Sequence, residues 1–261
     1  LQFQTGETEI GQGCDTAYSQ MVADAVGIPV EDVHVVSTQD TDVTPFGTGA
    51  YASRQTYIGG FSIMQTALAL RERILQIAHE QTRMPVSVLD LVDGKIIRKE
   101  DGRVLKTLGE LATESLYSLE HSQHITAETT AQIKSNAYSF GCTFAEVEVD
   151  METGQIEVLH LAAAHDVGRA INPDIVEGQI HGSVLQGIGY ALSEQIVYDK
   201  KGRQAQDSFH KYYLPTMLET PDIDVILVET NEPSGPFGAK GVGECGLVPT
   251  AAAIANAVYH A

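Results

Sequence analysis

Apolar and polar positions change period several times along the 261-residue chain. Leu1 to Thr5 alternates as a strand. Past the turn Thr5-Gly6-Glu7 and the triplet Gly11-Gln12-Gly13 the period lengthens, and Ala17, Met21, Val22, Ala25 and Val26 fall on one helical face. Gly27 and Pro29 stop that helix. Val33 to Ser37 alternates again, and the loop Pro45-Phe46-Gly47-Thr48-Gly49 leads into a long helical pattern from Thr56 to Gln81. Val86 to Arg98 with Arg103 to Leu105 predicts a hairpin around Asp93-Gly94, and Leu108 to Leu116 a short helix.

The stretch 118–134 is polar and unpatterned, which makes it the expected boundary between two lobes, residues 1–125 and 126–261. Beyond it, Phe144 to Val149 and Gln155 to Leu161 alternate around Thr153-Gly154 as a second hairpin. Asn172-Pro173 opens a helix reaching Ser193, a strand follows at Asp224 to Val228, and Ala251 to Ala261 is an apolar helical pattern. Hairpins mixed with helices, without regular strand–helix alternation, predict an α+β fold in two lobes. Because the sequence opens inside a strand and closes in an uncapped helix, it reads as a fragment or one subunit of something longer.

Charge narrows the partners. The formal net charge is −19, and the 16 Lys and Arg are scattered, so nucleic acid is not an expected partner. No apolar run approaches the roughly 18 residues of a membrane span. Three distant cysteines, Cys14, Cys142 and Cys245, offer neither a disulfide framework nor a zinc site, which fits a reducing, cytoplasmic setting.

Several short stretches carry candidate chemistry, each beside a plainer reading. Gly11-Gln12-Gly13 after a strand offers N–H groups to an anion at a helix N-terminus, or is a tight turn only. The third glycine of a dinucleotide fingerprint is missing. Tyr51-Ala52-Ser53-Arg54-Gln55 sets a hydroxyl, a guanidinium and an amide side by side, or is an N-cap Ser53 with a surface Arg. His79-Glu80 lacks the second His of a zinc helix, since Arg83 holds that place, and His121 and His124 lie in the unpatterned stretch. Asp166-Val167-Gly168-Arg169 is a strand-to-helix turn. The helix after it carries Gly182, Gly187 and Gly189 with Gln186 on the same face, as a close approach of backbone to another element or a cofactor would require. Finally, Gly235 to Gly246 crowds five glycines around Glu244, an acid that its Gly, Val and Cys neighbours would poise as a base by desolvation, or an ordinary loop acid.

Taken in order, Glu9-Ile10-Gly11-Gln12-Gly13, Ala52-Ser53-Arg54 with Gly59-Gly60, Asp166-Val167-Gly168 with Asn172-Pro173, Gln186-Gly187-x-Gly189 and Lys240-Gly241-Val242-Gly243-Glu244 closely resemble the molybdenum hydroxylase family, the xanthine dehydrogenase and aldehyde oxidase group. The resemblance covers essentially the whole chain and corresponds to the C-terminal half of the molybdopterin-binding subunit. It implies two lobes clamping a molybdenum–molybdopterin cofactor whose metal is held by the pterin dithiolene, with no direct side-chain ligand. It implies Glu244 as general base in hydroxylation of an sp² C–H carbon of a purine, another N-heterocycle or an aldehyde, with water as oxygen source. It places Gly11, Gln12, Gly13, Ala52, Ser53, Arg54, Gln186, Lys240, Gly241, Val242 and Gly243 at the cofactor, with Thr16 and Asp166 toward its nucleotide end. The cytosine dinucleotide form of the cofactor, 2Fe–2S clusters and FAD on partner chains or domains, and the N-terminal half of the subunit complete the implied assembly. The alternative is a catalytically inactive scaffold that carries the cofactor.

Overall fold

The computed structural model describes residues 1–36, 40–119, 122–130 and 132–261. It divides into two compact units, Leu1–Asn136 and Ala137–Ala261. The polar stretch expected to part the lobes therefore travels with the first unit. Tyr57 Oη and Ser135 Oγ share a hydrogen bond of 3.1 Å there, and Ser115 Oγ donates to Gln123 O at 3.1 Å. His121, from the same stretch, and Ser37, the expected end of a strand, lie outside the described residues.

The first unit begins with β1 (Gln2–Gln4), which pairs in parallel with β2 (His34–Val36) around helix α1 (Cys14–Val26). Gln55–Gly59 is a π-helical turn that runs into α2 (Gly60–Thr82). The long helix expected from Thr56 thus starts with a wider turn. β3 (Leu89–Val92), β4 (Lys95–Arg98) and β5 (Val104–Thr107) form an antiparallel sheet, and α3 (Leu108–Tyr117) follows directly. Thr107 caps α3 in a capping box with Glu110. Tyr18, Met21, Ile74, Ile77, Leu89, Leu91, Ile96 and Leu111 are buried, and so are Ala17, Val22, Ala25 and Val26, which with Met21 make up the α1 face read from the periodicity.

In the second unit β6 (Gly141–Val149) pairs antiparallel with β7 (Ile156–Asp166), and β8 (Asp222–Val228) pairs in parallel with β7. The crossover is α4 (Pro173–Leu192), opened by Asn172, whose side chain accepts from Ile175 N. Helix α5 (Leu247–His260) ends the chain. One sheet face packs on both helices through Val158, Leu161, Ala163, Ile180, Val184, Ile188 and Ile254. β7 continues past Leu161 to Asp166 because alternating inward positions stay buried although the sequence there no longer alternates in polarity. The fold is α+β, as expected. Among the described residues no helix is long and apolar enough to cross a membrane.

Candidate functional site

In the first unit the loop before α1 is satisfied from within. The Glu9 carboxylate accepts from Gly11 N at 2.7 Å, Gly13 N at 3.0 Å and Asp15 N at 3.0 Å. Burial works to raise the Glu9 pKa, yet these N–H donors outweigh it and hold the carboxyl below its ordinary range. This corrects the expectation that Gly11-Gln12-Gly13 presents its N–H groups to an outside anion, since Glu9 is that anion. Glu9, Cys14 and Asp15 lie close enough to share an ion. Burial, with Glu9 beside it, pushes the Cys14 thiol far up.

Gln12 is built into the same loop. Its amide donates to Thr8 O at 2.9 Å and to Gln55 Oε1, and its own Oε1 accepts from Ile10 N at 2.7 Å. Gln55 is buried, also donates to Thr8 O, and receives Tyr18 Oη on its carbonyl at 3.1 Å. Thr16 lies exposed on α1. Arg54 grips Glu7 with both ends of its guanidinium, at 2.6 and 2.9 Å, and donates to Gly49 O at 3.0 Å. The two charges are largely buried, so the Arg54 of the expected phosphate contact instead ties loop 49–54 to Glu7. Between those anchors Ala52 and Ser53 stand at φ 51° and 52°, a left-handed pair that side-chain-bearing residues seldom adopt. Strain of this kind, followed by a π turn, gathers at ligand sites. Glu7 stood in the sequence only as part of a turn, Glu9 only as the start of a motif and Gln55 only as an amide beside Arg54; their partners were not legible there, and the one signal was an acid two and four residues before the paired glycines.

In the second unit Asp166 and Lys240 find each other. Lys240 Nζ donates to Asp166 Oδ2 at 2.7 Å and to Tyr138 O at 2.9 Å, and lies 5.3 Å from the centre of the Phe140 ring. Asp166 also accepts from Gly168 N at 2.9 Å and from Thr230 Oγ1 at 2.8 Å. Desolvation raises the Asp166 pKa, but these bonds prevail and lower it. The two charges are thus paired with each other inside this unit.

Gly241, Val242 and Gly243 are half-buried and lead into a turn at Glu244. Glu244 itself is exposed, so the desolvation expected from its Gly, Val and Cys neighbours is not supplied inside this unit. Its carbonyl accepts from Leu247 N at 3.2 Å as α5 begins. Gly246 is seated against Ser183 and Ile180 of α4. The Glu244 turn is thereby anchored on α4, which elsewhere exposes Gly178, Gly182 and Gln186; apart from the adjoining residues and the helix's own backbone, nothing among the described residues lies within 4 Å of the place a Cβ would take at Gly178 or Gly182.

In the second unit α4 exposes Gly178, Gly182 and the Gln186 amide, and the turn before α5 exposes the acid Glu244. In the first unit the loop at Ala52-Ser53 is strained. A cavity of about 820 Å³ in the first unit, lined among others by His34, Lys95 and Leu108, contains none of the predicted site residues.

Comparison with known proteins agrees. Residues 1–221 match the model of the molybdopterin cofactor-binding domain. The xanthine dehydrogenase molybdenum-binding subunit of Escherichia coli O157:H7 is 41% identical over 263 residues, covering 100% of this chain and 35% of that protein. The 6-hydroxypseudooxynicotine dehydrogenase complex subunit gamma of Paenarthrobacter nicotinovorans is 32% identical over 262 residues, covering 99% of the chain and 33% of the relative. Quinoline 2-oxidoreductase from Pseudomonas putida 86 superposes with a TM-score of 0.90 at 31% identity, over 98% of the chain and 33% of that structure. The chain thus spans about a third of the length of the curated relatives it matches. On its fold and these matches, the chain belongs to the molybdopterin cofactor-binding domain family.

Proposed function

We propose that the chain is the C-terminal part of the molybdenum-cofactor-binding subunit of a xanthine dehydrogenase-like hydroxylase. Its reaction is oxidation of an sp² C–H carbon of a purine, another N-heterocycle or an aldehyde, with water as oxygen source. The observation that carries the reading is Glu244, an exposed carboxylate in the glycine-bounded turn before α5, with Gly246 of that turn seated on α4. When bound, the molybdenum cofactor supplies the two-electron oxidation of carbon.

The chain's own residues do the rest. A Glu244 carboxylate oxygen takes the proton from the water-derived nucleophile and returns it during product release. General bases of this kind contribute about 10² to 10⁴-fold in rate. Gln186 orients the bound group by its amide, and the backbone of Gly241 to Gly243 lets it approach closely. Ala52 and Ser53 present main-chain groups from a loop that Arg54 and Glu7 hold rigid, and the Gln12–Gln55 amide pair buttresses that loop. We assign the cytosine dinucleotide form to the cofactor, and electron removal to 2Fe–2S clusters and FAD on partner chains or domains. The three unpaired cysteines support a reducing, cytoplasmic setting.

The test is molybdenum and pterin-nucleotide analysis of the native protein with whatever copurifies, followed by a screen of purines, N-heterocycles and aldehydes against a dye acceptor. Glu244→Gln keeps shape and removes the basic oxygen, so cofactor content should hold while reduction by substrate slows at least 10²-fold. Stoichiometric cofactor with no turnover of any of these classes would return the scaffold reading.

A further inference from the structure

Lys240 stands four residues before Glu244, and the surroundings of its ammonium tie distant stretches of chain to one point. Through Asp166 it reaches the end of β7 and, by Thr230 Oγ1, the segment after β8. Through Tyr138 O it reaches the segment before β6. The main chain is sutured at the same place, with Lys240 N donating to Val167 O at 2.9 Å and Asn231 N to Gly168 O at 2.9 Å. Gly168 has φ 68°, and a Cβ there would sit 3.0 Å from both Lys240 N and Lys240 Cγ, so the two loops press together more closely than any side chain would allow. Downstream of this point the hydrogen bonds of the loop include Ser139 Oγ to Gly241 O at 3.3 Å and Cys245 N to Val242 O at 3.3 Å. The buried pair is the charged anchor that precedes the acid in this loop.

We infer that the Lys240–Asp166 pair is a positioning device, a buried clamp that fixes where the loop presents Glu244, and that neither residue touches the bound cofactor. This rests on the reading of Glu244 as the base. Three observations carry it. Both side chains are almost fully buried, at 5% and 9% exposure. Among the described residues the pair engages Gly168 N, Thr230 Oγ1 and Tyr138 O, which come from three separate stretches of this unit. The four stretches they join include the one that bears Glu244. A buried pair of this kind is often no better for stability than an apolar pair of the same volume, and one well-attested use is to fix a single arrangement.

The experiment uses the protein as purified with its partners and cofactor, and three variants. Lys240→Met keeps the aliphatic stem but strands the Asp166 carboxylate; Lys240→Met with Asp166→Asn removes both charges, relieving that penalty while leaving the tether cut. Glu244→Gln tests the underlying reading separately. Hydrogen exchange followed by mass spectrometry reads the clamp without any turnover. In the double variant the peptides covering 236–246 should exchange at least 10-fold faster, with α4 and β7 peptides unchanged and molybdenum content within two-fold of wild type. With the substrate that the screen returns, kcat should fall about 10- to 100-fold while KM stays within about two-fold, the signature of a misplaced group. Local exchange and kcat both within two-fold of wild type in the double variant would overturn the clamp. So would molybdenum loss without a change in exchange, which would make Lys240 or Asp166 a cofactor contact after all. If Glu244→Gln turns over normally while 236–246 loosens in the double variant, the clamp exists but what it aims is not the base.

Discussion

Two glycines five residues apart in α4 should respond oppositely to the same added methyl. At Gly187 a Cβ would stand 2.6 Å from Thr250 Cβ and 2.8 Å from its Cγ2, where carbon atoms ordinarily rest about 3.5 Å apart or more. Thr250 is fully buried and its hydroxyl donates to Gly246 O at 2.7 Å, so it cannot swing aside without losing that bond. Gly187→Ala therefore forces α5 away by roughly an ångström, at the ~1–3 kcal/mol typical of overpacking. At Gly182 nothing lies within 4 Å of the added carbon. Both substitutions gain the same ~1 kcal/mol of helix propensity, so the difference between them isolates packing at about 1–3 kcal/mol. Unfolding of an assembly this size is not two-state; native-state hydrogen exchange of the α4 amides is the suitable assay, because it reports local opening directly. The expected order is Gly187→Ala the less protected and Gly182→Ala equal to or above wild type. Equal protection in the two variants would refute the close α4–α5 contact. Protection lost at Gly182→Ala instead would mean that the open face is covered in the assembled protein, and would measure how closely.

The remaining predictions are shorter. Arg54→Ala removes one partner of a largely buried bidentate pair and should cost the first unit about 3 kcal/mol, with cofactor content falling because loop 49–54 loosens; Glu7→Gln should reproduce the loss in metal analysis, which a direct Arg–phosphate contact would not predict. His165 is 1% exposed, its pKa is lowered by burial, and neither ring nitrogen has a hydrogen-bond partner among the described residues. The unfolded chain takes up a proton near pH 6.5 and the folded one only at lower pH, so stability is complete above about 6.5 and falls as pH drops through and below that value. His165→Leu should flatten this slope in midpoint-against-pH measurements; an unchanged slope would assign it to another group.

Much of the element order was legible because it follows from period alone. α1, α3 and α4 begin and end where Gly, Pro and capping residues stand, and Thr107 and Asn172 cap as their residue types suggest. The parallel pairing of β7 with β8 was not legible. Parallel partners are separated by a crossover, here the whole of α4 and the loops around it, and a turn sequence gives no hint of them. The run Leu161-Ala162-Ala163-Ala164 ends the alternation for a related reason, since small residues on both faces of a central strand carry no period. The candidate residues were legible as types and order, while their partners were not. Asp166 and Lys240 are paired across 74 positions, Arg54 and Glu7 across 47, and no local rule reaches that far.

The difference matters for how such sites are read. A strongly acidic chain that needs rigid glycine loops can satisfy their N–H groups with its own carboxylates, and this one does so repeatedly: Glu9 closes the loop before α1, Asp166 takes Gly168 N, Glu229 takes Ala170 N and Glu232 takes Ser234 N. Each of these acids turns a would-be anion nest into a fixed strut. Glycine spacing by itself therefore marks where backbone is tightly organised, and says little about which groups meet a ligand. On the function proposed above, the residues that meet the ligand are Ala52 and Ser53 in one unit and Gln186 and Glu244 in the other. Rigid support by buried charge and exposure of a few uncharged or acidic groups are two halves of one arrangement, because a group presented on a loose loop would lose in positioning what it offered in chemistry.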